Sequence, residues 1–152
     1  MKLPLTGGCI CGAVRYEITK APLGVYACHC TDCQRITSSA FSLGMIVPDA
    51  AFRAIGKPAR SVPCGIADSG RVKSRWTCPD CGVWLFGNAR PGATGDELIR
   101  VVRGGTLDDT SWLRPSMHFF TRSAQSWVVL QGERHETQPE AIAARVHGGA
   151  RS

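Results

Sequence analysis

Seven of the eight cysteines in this chain fall into three tight groups: Cys9 and Cys11, then Cys28, Cys30 and Cys33, then Cys78 and Cys81. No other feature limits the fold as much. Disulfides between neighbours one or two residues apart would close loops too short to remove much unfolded-state entropy. Sulfurs at the same spacings converge readily on one cation. The first eight residues, Met1 to Gly8, carry no apolar export segment, and no run of 18 apolar residues occurs anywhere. The expectation is therefore a cytoplasmic protein whose thiols stay reduced and ligate metal.

The three groups are not equivalent. Cys9-Ile10-Cys11-Gly12 and Cys78-Pro79-Asp80-Cys81-Gly82 read as two ligand knuckles. The chain must turn sharply in each, and glycine after the second sulfur accepts the positive φ that such turns need. Together they make a four-thiolate structural zinc site clamping the N-terminal segment to the middle of the chain. The binding free energy of such a site is folding free energy, on the order of 10 kcal/mol.

Cys28-His29-Cys30-Thr31-Asp32-Cys33 instead offers three sulfurs from a single loop. Three protein ligands with a fourth position open is how catalytic zinc is built. His29 is a candidate fourth ligand, although on an extended segment it points away from Cys28 and Cys30. Spacing alone also permits a ribbon-like partition, with Cys30 and Cys33 paired to Cys78 and Cys81. A third possibility is a redox couple at Cys30 and Cys33, with which metal ligation would compete. Cys64 stands by itself and reads as a small buried hydrophobe.

The chain has 152 residues, 43% of them hydrophobic and 20% charged, enough for one domain with a buried core. We place that domain at residues 1–135, with a C-terminal helix and tail at 136–152. The formal charge is +6, but the basic residues are scattered and form no run. Seven thiolates and two divalent ions would lower it to about +3. No nucleic-acid partner and no membrane association are expected.

Short β-like runs separated by turn residues dominate the chain. The expected strands are Val14–Ile18, Gly24–Cys30, Ala40–Val47, Phe52–Gly56, Arg60–Pro63, Val72–Thr77, Val83–Gly87, Leu98–Val102, Met117–Thr121 and Ser126–Leu130. Helix is expected only just after Cys30 and over Pro139–Val146. The fold class is mainly β: several small twisted antiparallel sheets stapled by metal, with a short C-terminal helix.

Gly7-Gly8-Cys9-Ile10-Cys11-Gly12-Ala13-Val14-Arg15-Tyr16, then Cys28-His29-Cys30-Thr31-Asp32-Cys33-Gln34-Arg35, then Cys78-Pro79-Asp80-Cys81-Gly82 follow one another in that order. Gly105-Thr106-Leu107-Asp108-Asp109, Pro115, His118 and Trp127 come after them. This series closely resembles the glutathione-dependent formaldehyde-activating (Gfa) family, which shares its domain with centromere protein V. The resemblance runs from about Gly7 to about Trp127. It implies an Mss4-like β fold with two zinc ions. By the family pattern, Cys9, Cys11, Cys78 and Cys81 would hold the structural ion, and Cys28, Cys30 and Cys33 the catalytic one.

The family's activity joins glutathione and formaldehyde into S-hydroxymethylglutathione, a carbon–sulfur lyase reaction in reverse. The chain departs from the pattern at Thr77, where the family often has phenylalanine, and in the loop Ala93–Glu97. Many relatives share the metal motifs without a known substrate, so the chemistry must be argued from the site.

A small-molecule thiol and a small aldehyde are thus the expected partners. A free thiol is mostly protonated at neutral pH, and the thiolate is the nucleophile. Arg35, beside the three-cysteine loop, is the candidate contact for a substrate carboxylate, or else it faces water. His118 is a candidate substrate-binding proton shuttle, or else a hydrogen-bonded core histidine. Asp108 and Asp109 read as turn-shaping residues. Trp76, Trp84, Trp112 and Trp127 read as core or pocket wall. The competing class is a non-enzymatic, zinc-stabilised binding module.

Overall fold

The computed structural model describes residues 1–66, 72–87, 90–91 and 98–137. The expected helix over Pro139–Val146 lies outside them. The mainly-β reading holds, and the strands gather into two sheets, one small and one large.

The small sheet contains β1 (Leu5–Gly8), β2 (Val14–Ile18) and β5 (Phe52–Gly56), in the order β1-β2-β5. β2 alternates as its sequence demands. Val14, Tyr16 and Ile18 are buried, while Arg15 and Glu17 face outward. The large sheet runs β12-β11-β3-β4-β10-β8-β7-β6, and β9 (Arg90–Pro91) pairs with β10. Its strands are β3 (Gly24–Cys28), β4 (Ser42–Pro48), β6 (Arg60–Ile66), β7 (Val72–Thr77), β8 (Trp84–Gly87), β10 (Leu98–Arg103), β11 (Met117–Phe119) and β12 (Glu133–His135). Not all pairings are antiparallel as expected: β11 runs parallel to both β3 and β12.

β4 is the buried spine of the large sheet. Met45 and Val47 enter the core shared with Val14, Tyr16, Ile18, Leu85, Phe86 and Val102. Ile46, one residue out of phase, packs on the opposite face with Ile99, Phe119 and Tyr26. Each fully buried aliphatic side chain of this kind contributes about 1.5–3 kcal/mol.

The segment after β10 fastens the two sheets together. Gly7 bridges to Leu107, and Thr6 Oγ1 donates to Asp108 Oδ2 at 2.6 Å. Asp108 also forms an ion pair with Arg15. Asp109 caps its own turn by accepting from the Ser111 N–H at 2.9 Å. Asp109 thus shapes a turn as expected, whereas Asp108 reaches across to β1 and β2.

Three sequence expectations are corrected here. Ser126–Leu130 is not a strand, and Trp127 is 71% exposed rather than core. Gly24–Cys30 stops as a strand at Cys28, because Cys30 begins a helix.

Candidate functional site

The two knuckles meet although 67 residues separate Cys11 from Cys78. In each, the first cysteine N–H donates to a carbonyl five residues on: Cys9 to Val14 at 3.0 Å, and Cys78 to Val83 at 2.9 Å. The turn then closes through glycine, with Gly12 N–H on Cys9 O and Gly82 N–H on Cys78 O. Both glycines are left-handed, at φ 77° and 75°.

The sulfurs of Cys9, Cys11, Cys78 and Cys81 lie within 4.8 Å of one another. Cys9 Sγ is 3.4 Å from Cys11 Sγ, and Cys11 Sγ is 3.7 Å from Cys78 Sγ. The edge of a tetrahedron with metal–sulfur bonds of 2.3 Å is about 3.8 Å, so this donor set fits such an ion. Backbone N–H groups help to stabilise the thiolates. Val14 N–H donates to Cys9 Sγ at 3.3 Å, and the Val83 N–H, then that of Cys11, holds the Cys81 thiol down to about 6.

Cys28, Cys30 and Cys33 form the second cluster, again with all sulfurs within 4.8 Å. Cys28 ends β3, and Cys30 is the N-cap of α1 (Thr31–Thr37), accepting from the Cys33 N–H at 3.4 Å. The helix thereby turns Cys33 back toward Cys28 and Cys30. Cys28 Sγ donates to Cys30 Sγ at 3.6 Å. The Cys28 thiol, then that of Cys33, together with the N–H groups of Cys33 and Asp32, pulls the Cys30 thiol down to about 2. The same pairing with Cys30 pushes Cys28 up. Among the described residues each group is closed on itself, so the ribbon-like pairing of Cys30 and Cys33 with Cys78 and Cys81 does not occur. Cys64 stands apart, donating to the Lys73 carbonyl at 3.4 Å.

Residues 119–125 hold the cysteine loop in place. His29 N–H donates to Phe119 O at 2.9 Å. Gln34 Nε2 donates to both His29 O and Ser123 O, at 2.7 and 2.8 Å, and Ser123 Oγ donates to His29 O at 3.0 Å. Exposed Trp127 joins this network, since its indole N–H donates to Gln125, which donates to Gln34.

His29 itself is fully buried and turned away from the sulfurs. Its Nε2 lies 3.0 Å from His118 Nδ1, and its ring packs on Phe41. His118 Nε2 lies 2.9 Å from the Gln131 carbonyl, which can only accept. His118 therefore donates through Nε2, and a neutral His118 accepts at Nδ1 from His29 Nε2. Burial, and then His118, hold the His29 imidazole below its ordinary value, so it is neutral at pH 7. His118 is accordingly a buried, hydrogen-bonded histidine, while Arg35 is exposed on α1.

Two neighbours of the cluster were not singled out in the sequence. Ser42, at the start of β4, donates from Oγ to Cys33 Sγ at 3.2 Å. Arg103, at the end of β10, donates from Nη1 to Ser42 Oγ at 3.3 Å, with its guanidinium 4.1 Å from the Trp84 ring centroid. Only strand register brings them together, with Arg103 opposite Gly44 of β4. The single usable signal was a cation ending a strand whose other residues, Arg100 apart, are apolar.

A family model of the glutathione-dependent formaldehyde-activating enzymes matches residues 4–123. A Sordaria macrospora protein provisionally named for that activity is 30% identical over 91 residues, covering 56% of this chain but only 37% of its own length. A similarly named Penicillium rubens protein is 27% identical over 139 residues, covering 89% of this chain and 68% of its own. A crystal structure of a Rhodobacter sphaeroides protein superposes with a TM-score of 0.49 at 20% identity, covering 68% of this chain and 87% of that one.

Proposed function

The chain belongs to the glutathione-dependent formaldehyde-activating family, and from that premise we propose that it is a zinc-dependent carbon–sulfur lyase of this type. In the synthetic direction it joins a small thiol, glutathione or one like it, to formaldehyde or another small aldehyde. A carbon–sulfur bond forms, the carbonyl π bond breaks, and the proton lost from sulfur ends on the former carbonyl oxygen. The product is an S-hydroxyalkyl adduct.

One observation carries the reading. Cys28, Cys30 and Cys33 gather three sulfurs from one loop, while the neighbouring His29 engages His118 through Nε2 and does not join the sulfur group. That donor set suits an ion with one position left for a substrate. A divalent ion held there would lower the pKa of a substrate thiol into the physiological range. The protein's own part is to keep the loop rigid. The N-cap at Cys30 aims Cys33, the Gln34 and Ser123 bonds fix the His29 carbonyl, and the His29–His118–Gln131 chain keeps imidazole away from the sulfurs. Cys9, Cys11, Cys78 and Cys81 would hold a second zinc ion with a structural role. Of the expected substrate contacts, Arg35 stays available to an anionic substrate at the surface, whereas His118 is buried between His29 and the Gln131 carbonyl.

Cys30→Ser tests the assignment. One of two metal ions and the thiol-dependent consumption of formaldehyde should be lost, with far-UV circular dichroism unchanged. Global unfolding would overturn the division of roles between the clusters. Glutathione at several millimolar should change the zinc-edge X-ray absorption of the native protein, and an unchanged spectrum would exclude it as the thiol. Full metal loading with no turnover of any thiol–aldehyde pair would favour a binding module instead.

A further inference from the structure

Arg103 is a cation with an unfilled edge. Its one hydrogen bond among the described residues runs from Nη1 to Ser42. It belongs to no ion pair among those residues, and its Nε is buried without a hydrogen-bond partner. The guanidinium is nevertheless well fixed, lying over Trp84 and tied through Ser42 to Cys33. The edge formed by Nε and Nη2 is the one that takes a carboxylate through two parallel bonds. Leaving a charged donor buried and unpaired costs free energy that a bound anion would recover.

We propose that Arg103 anchors a carboxylate of the incoming thiol, so that the preferred substrates are mercapto-carboxylates rather than neutral thiols. The inference rests on the thiol-activating role proposed for Cys28, Cys30 and Cys33. Nη1 lies no farther from Cys33 Sγ than the two hydrogen bonds that join them through Ser42. A thiol held at the cluster would therefore bring its carboxylate close to a guanidinium that Trp84 and Ser42 already hold in place, which limits the side-chain ordering left to the protein.

The test uses the cobalt(II)-substituted protein, in which sulfur-to-metal charge-transfer bands report thiol binding whether or not turnover follows. The probes are 3-mercaptopropionate and 2-mercaptoethanol, which differ in the carboxylate. The parent protein should bind the former more tightly. Arg103→Met should weaken 3-mercaptopropionate roughly tenfold or more, the scale of a lost charge-assisted pair, and leave 2-mercaptoethanol unchanged. Arg103→Lys should fall between, because it keeps the charge without the fork. The proposal is overturned if Arg103→Met weakens both thiols equally, which would make Arg103 a support for Cys33 alone, or if the carboxylate preference survives. If neither thiol moves the cobalt bands of the parent, the thiol-activating reading fails and takes the proposal with it.

Discussion

Replacing Gly82 by alanine isolates the backbone contribution to the long-range cysteine cluster. A methyl group there would meet no atom within 4 Å, so crowding contributes nothing. What remains is the conformation itself, since Gly82 sits at φ 75°. An L-residue pays about 1–2 kcal/mol in that region. Stiffening of the unfolded chain by alanine returns about 0.4–1 kcal/mol. The net loss is about 1 kcal/mol, or about a fivefold loss of metal affinity at this cluster if all of it falls on the bound state. Gly12→Ala should cost the same, because Gly12 lies at φ 77° with equally open space around it. Asparagine, which tolerates the left-handed region, should restore part of the loss at either position. The assays are urea unfolding of the metal-loaded protein and competition against a chromophoric chelator. The reasoning is refuted if Gly82→Ala matches the parent in both, or if Gly82→Asn proves worse than Gly82→Ala.

Three further outcomes follow from the geometry. Tyr16 Oη donates to Thr106 Oγ1 at 2.9 Å, since the Thr106 hydroxyl hydrogen is already spent on the Arg103 carbonyl; Tyr16→Phe should cost about 1 kcal/mol in urea melts at pH 8. Burial pushes the Tyr16 hydroxyl from 10.0 up to about 12, so the folded state keeps this proton longer than the unfolded chain does. Stability from this group is complete below pH 10 and is lost between 10 and 12, and Tyr16→Phe should flatten that decline; parallel slopes from pH 9 to 12 would reject the argument.

Arg15, then Thr6, hold the Asp108 carboxyl below its ordinary 3.8. Its stabilisation is present above that value and disappears as pH falls through the lowered one, so Asp108→Asn should cost under about 1 kcal/mol at pH 7 and progressively less as pH falls below 3.8, with the pH 7 difference shrinking in 1 M salt. If both clusters hold zinc, a mild chelator should strip one ion per chain without changing the thermal melt, and removal of the second ion should unfold the protein; simultaneous loss of both ions, counted by elemental analysis, would contradict this.

The parts of the fold that were legible are those where local pattern and tertiary demand agree. Val14–Ile18, Phe52–Gly56 and Val72–Thr77 match β2, β5 and β7 at both ends. β1 was missed because Leu5-Thr6-Gly7-Gly8 lacks strand character, and Gly7 is required by contact instead: a methyl group there would lie 2.3 Å from the Tyr16 hydroxyl. β12 was missed because Glu133-Arg134-His135 carries the charges that suit a sheet edge. Ser126–Leu130 had the apolar content of a strand, yet Trp127 and Val129 lie exposed.

The cysteine groups could be read because ligand spacing is a local property of the chain. Ser42 and Arg103 could not, because 61 residues separate them and only the β4–β10 register makes them neighbours. The environment of His118 was likewise set by a residue 89 positions away.

The two clusters differ in how much of the chain must exist before they can form. The local trio has all its members once residue 33 is present, whereas the quartet waits for residue 81. On a ribosome the first sulfurs to emerge, at Cys9 and Cys11, have no mates, and the trio of Cys28, Cys30 and Cys33 is the earlier complete set. If both sets take metal, a nascent chain short of it would fill the local trio before the long-range quartet.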